Sequence, residues 1–181
     1  FPQTQGVIID GPGEHSYELA FHHGGELFQI REHERQEWSQ QGYDVDRIER
    51  GVRHLRSQFH NLTPDKVRYQ AEGGMLAGLN LFDIDEDALY WWRARQSRSL
   101  RSWQNARATL DQCDRYVELG GIPRITSWSS LTGQNYQQMP QYFDYIFPKH
   151  YYWHRGWDGM YRTFQRWVKT LGEWNPALEE E

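Results

Sequence analysis

Val7-Ile8-Ile9 is a short run of β-branched residues between Gly6 and Asp10, closed at once by Gly11-Pro12-Gly13. An apolar run of this length without polar alternation predicts a strand buried on both faces, as in a parallel sheet. Parallel strands need long crossovers, usually helices, so this one segment already restricts the chain to folds that alternate strand and helix.

The rest of the chain supplies the helices. Val45, Ile48, Val52, Leu55 and Phe59 are spaced three, four, three, four, which makes one apolar helical stripe, with Asp44 placed to cap it. Thr63-Pro64-Asp65 reads as an N-cap followed by Pro at the first helical position, and Gly73-Gly74 breaks this second helix. Gly78 to Asp83 is readable as loop or strand. Leu89, Trp92, Gln96, Leu100, Trp103, Ala106, Leu110, Cys113 and Val117 keep helical spacing, with Asp85 or Asp83 as the cap. On that stripe Cys113 is expected to be a small buried hydrophobe. Gly120-Gly121 is expected to end the helix. A last helix is expected from about Asp158, with Met160, Phe164, Trp167, Val168, Leu171 and Trp174 on its stripe.

Two further strands are predicted, Ile122 to Trp128 and Tyr142 to Phe147. Strand, loop, helices, strand, loop, strand, loop, helix is the order of an α/β protein with right-handed crossovers. No Gly-x-Gly-x-x-Gly and no Walker loop follows a strand, so nucleotide-binding folds lose support.

Composition narrows the function classes. A chain of 181 residues suits one domain with a real core. A mean hydropathy of -0.93 and apolar runs of only a few residues leave no stretch that resembles a membrane span. A net charge of -5 argues against a protein held on nucleic acid by a basic stripe. One cysteine excludes a disulfide framework and a multi-cysteine zinc site. Nine Trp and eleven Tyr are many; aromatics with a polar tip suit surfaces that grip amphipathic ligands such as sugars, although a Trp-rich core is the plain reading of any single Trp. No leader pattern precedes the first strand, and the compartment is left open.

The chemistry collects after the strands. Asp10, Glu14, His15 and Glu18 follow the first, in a polar-aromatic loop running from Gly11 to Gly25. Ser127, Trp128, Ser129 and Thr132 accompany the second. Lys149, His150, His154 and Arg155 follow the third, beside Tyr151, Tyr152, Trp153 and Trp157. Ligands of parallel α/β folds bind at the carboxyl ends of strands, so the three clusters are expected to share a rim. Glu14 and Glu18 are the acid/base candidates, because a carboxyl group among rings can have a raised pKa and act as a general acid. Solvated loop carboxylates are the alternative for both. Asp10 is also readable as a strand-end acid that accepts N–H bonds from the Gly11–Gly13 turn.

Lys149 and Arg155 can bind ligand oxygens, Arg through its planar fork; Lys149 is one of three lysines in an Arg-rich chain. His15, His22 and His23 with Glu14, Glu18 or Asp10 offer metal-ligand chemistry, but no His-x-His or His-Glu-x-x-His spacing occurs, and no cofactor or metal is expected.

Gly6-Val7-Ile8-Ile9-Asp10-Gly11-Pro12-Gly13-Glu14 resembles the central strand of the TIM-barrel glycoside hydrolases and their hydrolase-like relatives. Phe143-Asp144-Tyr145-Ile146-Phe147-Pro148-Lys149-His150 resembles a later strand of the same barrels. The resemblance covers strand ends rather than helices. It implies that residues 1–181 form a single incomplete (β/α)8 TIM-barrel domain with about three parallel strands. It implies Glu14 as proton donor, although Gly13 stands where those enzymes carry Asn. It places the partner carboxylate beyond Glu181.

Asp10, His15, Glu18, Trp128, Lys149, Tyr152, Trp153, His154 and Arg155 then position the sugar. The expected partners are a carbohydrate and either the remainder of the barrel or another subunit covering exposed sheet edges. A non-catalytic carbohydrate-binding or scaffold protein and a metal-dependent hydrolase are the rival readings, so turnover itself is left open.

Overall fold

The computed structural model describes residues 3–11, 28–73, 75–124, 132–148 and 160–178. In chain order the elements are β1 (Gly6–Asp10), α1 (Glu32–Gln40), α2 (Val45–Phe59), α3 (Pro64–Gln70), α4 (Met75–Phe82), α5 (Glu86–Leu110), β2 (Glu118–Ile122), β3 (Tyr145–Ile146) and α6 (Met160–Trp174), with short 3-10 turns at Ala71–Gly73, Met139–Gln141 and Pro176–Leu178. The chain divides into two compact units, Phe1–Tyr17 with Trp92–Tyr151, and Glu18–Trp91 with Tyr152–Glu181.

The first unit is a parallel sheet in the order β1-β2-β3. This is an α/β arrangement, and among the described residues the sheet is open. Register pairs Ile8 with Gly120 and Asp10 with Ile122 on one side of β2, and Gly120 with Tyr145 on the other. One face packs on the carboxyl-terminal part of α5. Trp103, Leu119, Met139 and Phe143 form its buried centre, with Ile9, Leu100, Tyr136 and Ile146 packed around them. A fully buried side chain of this size contributes about 1.5–3 kcal/mol.

The opposite face is set by glycine. A Cβ on Gly120 would collide with the Tyr145 ring, and one on Gly6 would lie 2.9 Å from the Tyr145 hydroxyl. The Tyr145 side chain therefore crosses β2 and reaches β1 along a lane without side chains.

Several expectations about this unit are corrected. β1 is not buried on both faces: Val7 is 40% and Ile8 51% exposed. Among the described residues β1 lies at the edge of the sheet, paired only with β2. Gly120-Gly121 does not end a helix but sits inside β2, because the Tyr145 ring lies over one glycine and the Phe143 ring, 3.1 Å from a Cβ on the other, over the opposite face.

Of the expected strand from Ile122 to Trp128, Ile122 is the last residue of β2, which begins four residues earlier at Glu118, and residues 125–128 lie outside the described residues. Of the expected Tyr142–Phe147 strand only Tyr145–Ile146 is extended; Tyr142 and Phe143 both donate to the Met139 carbonyl at 3.0 Å, which holds them in a turn. α5 stops at Leu110, short of Val117. Arg107 closes its end: Nε donates to Asp111 at 2.8 Å and Nη2 to the Val117 carbonyl at 2.9 Å. Cys113 falls in the turn beyond and is an exposed free thiol, not a buried hydrophobe.

The second unit is helical. The α2 stripe is as expected, with Ile48, Val52 and Leu55 buried. Asp44 caps it by accepting the Arg47 N–H at 3.0 Å, and Thr63 caps α3 through the Lys66 N–H at 3.2 Å. Gly78 to Asp83 is neither loop nor strand over most of its length but the end of α4. The α5 cap is Asp85, which accepts the Ala88 N–H at 2.7 Å. Asp83 instead takes φ 45°, a left-handed turn between α4 and α5, and its carbonyl accepts from His54 Nε2 at 2.7 Å.

The amino-terminal end of α5 buries Ala88 and Trp91, leaving Leu89 42% exposed, one position off the expected stripe. Gly51 of α2 decides this. A Cβ there would lie 2.6 Å from the Ala88 nitrogen, so the missing side chain admits the α5 backbone and turns Ala88 inward.

Arg47 and Arg50 clamp the same turn through Asp87, at 2.6 and 3.2 Å. On α6 Thr170 is buried, whereas Val168 is 71% exposed, off the face that holds Trp167, Leu171 and Trp174. Buried Asn175 follows, donating to the carbonyls of Phe59 and Leu171 and accepting the Leu62 N–H, each at 2.8 Å.

Candidate functional site

Parallel pairing brings three strand ends to one edge. Asp10 stands beside Ile122, and the Gly11 N–H donates to the Ile122 carbonyl at 3.0 Å. The Phe147 N–H donates to the Gly121 carbonyl at 2.8 Å, continuing the β2–β3 ladder one residue further. The chain thus leaves β1, β2 and β3 at the carboxyl edge of the sheet. Gly11 takes φ 66°, a left-handed conformation that glycine adopts without strain.

Of the expected site residues, Asp10 lies on this edge and is exposed. Glu14, His15, Glu18, Trp128, Lys149, Tyr152, Trp153, His154 and Arg155 lie outside the described residues. So do His22, His23 and His150, Ser127 and Ser129, and Tyr151 and Trp157. Thr132, grouped with the second cluster in sequence, is 1% exposed and belongs to the interior.

The base of the segment after β2 is held by residues that the sequence pattern did not single out. Gln134 Oε1 accepts the Arg124 N–H at 2.9 Å, and the Tyr136 hydroxyl donates to the Arg124 carbonyl. Gln134 is 2% exposed. Burial pushes the Tyr136 phenol up to about 12, so it remains a neutral donor at neutral pH.

Gly133, at φ 71°, packs its α-carbon against α5, where a Cβ would lie 3.0 Å from Ser99 Oγ and 3.2 Å from the Arg95 carbonyl. Arg95 and Ser99, both buried, are four residues apart and precede buried Trp103 by eight and four. Two polar residues on the buried face of a helix were the available signal. The stripe anchored on Leu89 and Trp92 passed them by.

At the opposite, amino-terminal edge Asp144 gathers three donors: Tyr116 Oη, the Leu119 N–H at 2.7 Å and Arg107 Nη1 at 3.4 Å. The Tyr116 hydroxyl and the Leu119 amide hold its carboxyl below the usual carboxylate range, and the Arg107 charge adds to this. In a parallel α/β sheet this end serves stability.

Among the described residues no group of three or more His, Cys, Asp and Glu side chains is arranged to hold a metal ion. No helix among them is long and apolar enough to cross a membrane.

No protein-family model matches the chain, and no curated protein or solved structure matches it.

Proposed function

We propose that this chain is a carbohydrate-active, glycoside hydrolase-like protein that handles its substrate at the carboxyl edge of the sheet. The observation that carries the reading is the register of the three strands. They run parallel and end at the same edge, and Glu14, Trp128 and Lys149 come after those ends in sequence. Asp10 on that edge is four residues from Glu14, the proposed proton donor. A general acid for a glycosidic oxygen must come from such a loop, since loops at strand ends are where a parallel sheet presents chemistry.

The exposed β1 edge supports a second part of the reading. Val7 and Ile8 are apolar and exposed, and purely parallel sheets normally have both faces covered. Further strands of a barrel, or another subunit, would cover them.

The test is Glu14→Gln in the full-length protein, assayed for hydrolysis and for binding of oligosaccharides. General acid catalysis contributes about 10²–10⁴-fold, so turnover should fall by at least about 100-fold while binding is retained. Unchanged turnover would end the assignment of Glu14. Binding with no hydrolysis by either form would leave a non-catalytic carbohydrate-binding protein.

A further inference from the structure

We infer that the His60–Trp174 stack is an acid-sensitive latch, and that a proton on His60 releases the carboxyl end of α6 from the junction of α2 and α3. The latch is independent of the carbohydrate reading.

His60 is the residue at which α2 ends, and its N–H still donates to the carbonyls of Arg56 and Ser57 at 3.1 and 3.2 Å. Its ring lies nearly flat on the indole of Trp174, the last residue of α6, with centroids 4.5 Å and planes 22° apart. Trp174 also meets the buried Phe28 ring, centroids 6.3 Å apart. Asn175 follows, and its side chain ties the Phe59 carbonyl and the Leu62 amide to Leu171. Adjacent residues do not leave separately, so loosening the stack loosens the Asn175 bonds.

The surroundings of His60 suit a neutral imidazole. Among the described residues no carboxylate or carbonyl receives a ring N–H. Arg56 stands four residues earlier on α2, one helical turn away, and opposes a second positive charge. Burial, and then the Arg56 charge, hold the imidazole below its ordinary value. The α2 dipole and the indole face favour a cation, and the latch requires that burial and Arg56 prevail over both.

The other charged groups nearby are engaged elsewhere. Lys66 of α3 donates to Gln58 at 2.9 Å, and Lys169 and Glu173 of α6 pair with each other at 3.6 Å. His54, also on α2, is set differently: its Nε2 donates to the Asp83 carbonyl at 2.7 Å and faces the Asp83 and Asp85 carboxylates at 3.3 and 3.9 Å. Acids receive a proton on His54, whereas only an indole and an arginine meet one on His60.

A histidine with a depressed folded value stabilises the docked form above its unfolded value of about 6.5, and that contribution is lost as pH falls through the folded value. Acid therefore lifts Trp174 from His60, frees the Leu62 N–H and uncovers the Phe28 ring.

The experiment is amide hydrogen exchange of the full chain, read at Thr170–Asn175 and corrected for intrinsic rate, at about pH 5 and about pH 7.5. The His60 imidazole is followed by NMR over the same range. Corrected exchange should rise roughly 3-fold or more at the acid end, with a midpoint that coincides with the His60 titration. His60→Phe keeps a ring for Trp174 and His60→Gln keeps polarity; neither can be protonated in this range, and the rise should be absent in both, so either suffices if the other fails to fold. His54→Gln should keep the rise. Equal exchange at both pH values in the unchanged protein overturns the latch, as does a rise that survives in the His60 variants or is lost in His54→Gln. A His60 midpoint above the ordinary imidazole value overturns it too.

Discussion

Asp144 and Leu119 bond to each other twice: the Asp144 carboxylate accepts the Leu119 N–H at 2.7 Å, and the Asp144 N–H donates to the Leu119 carbonyl at 2.8 Å. The pair locks the entry of β3 to β2 through backbone and side chain together. The same carboxylate also takes the Tyr116 hydroxyl and faces Arg107, so one acid joins α5, β2 and β3.

Asp144→Asn keeps the shape and removes the charge. Hydrogen bonds to a charged group contribute more than neutral ones, so a loss of about 1–2 kcal/mol at pH 7 is expected from urea denaturation. The pH dependence has a definite sign. The folded-state pKa is depressed, so the stabilisation is present above the unfolded value and is lost as pH falls through the folded one. Stability of the unchanged protein should decline below about pH 4. The Asp144→Asn variant should decline less, and an equal decline in both would show that Asp144 does not carry the effect.

Gly51 is expected to tolerate no side chain. Helix propensity alone would favour Gly51→Ala by about 1 kcal/mol. Against this, the new methyl would collide with backbone atoms of Asp87 and Ala88, which cannot swing aside as a flexible side chain would. Overpacking typically costs about 1–3 kcal/mol, and the net effect should be destabilising, more so for Gly51→Val. A raised midpoint in thermal or urea unfolding of Gly51→Ala would contradict the close approach of α2 and α5.

Tyr136 predicts behaviour at the alkaline end. Its folded pKa is pushed up to about 12 by burial, above the ordinary value near 10. The raised value means that the neutral phenol stabilises the fold below pH 10, and that this contribution is lost as pH rises from about 10 to 12. Denaturation at a series of pH values, with ionisation followed by ultraviolet absorbance, should show a steeper alkaline decline for the unchanged protein than for Tyr136→Phe. At neutral pH the same substitution should weaken the Arg124–Gln134 tie by removing the donor to the Arg124 carbonyl.

The legible parts of this protein are those governed by neighbours along the chain. The α2 stripe from Val45 to Phe59, its Asp44 cap and the Thr63-Pro64 start of α3 follow from helical periodicity and from unsatisfied N–H groups at helix ends. The α1 helix escaped because Glu-His-Glu-Arg-Gln-Glu-Trp-Ser-Gln has a single strongly apolar residue, Trp38. Glu34, whose carboxylate reaches back to the Arg31 N–H at 2.7 Å, is buried beside it in the pattern. Two residues four apart are too little for a period to emerge. At the candidate site the parallel order of strands was readable, and with it the shared carboxyl edge on which Asp10 lies. Arg95, Ser99, Gln134 and Tyr136 were not, since the approach of α5 to the Gly133 turn and the tie of Gln134 and Tyr136 to Arg124 join residues far apart along the chain.

Sequence by itself determined that helices separate β1 from β2 and which residues begin α2 and α3. Tertiary structure alone decided what Gly120-Gly121 is for. Those two residues read locally as the end of a helix, and they became the centre of β2 because the rings of Tyr145 and Phe143, more than twenty residues later, occupy the space above and below them. Capping and periodicity are short-range and survive in any context. The room a side chain needs is set by whatever arrives against it, and that is known only once the chain has folded.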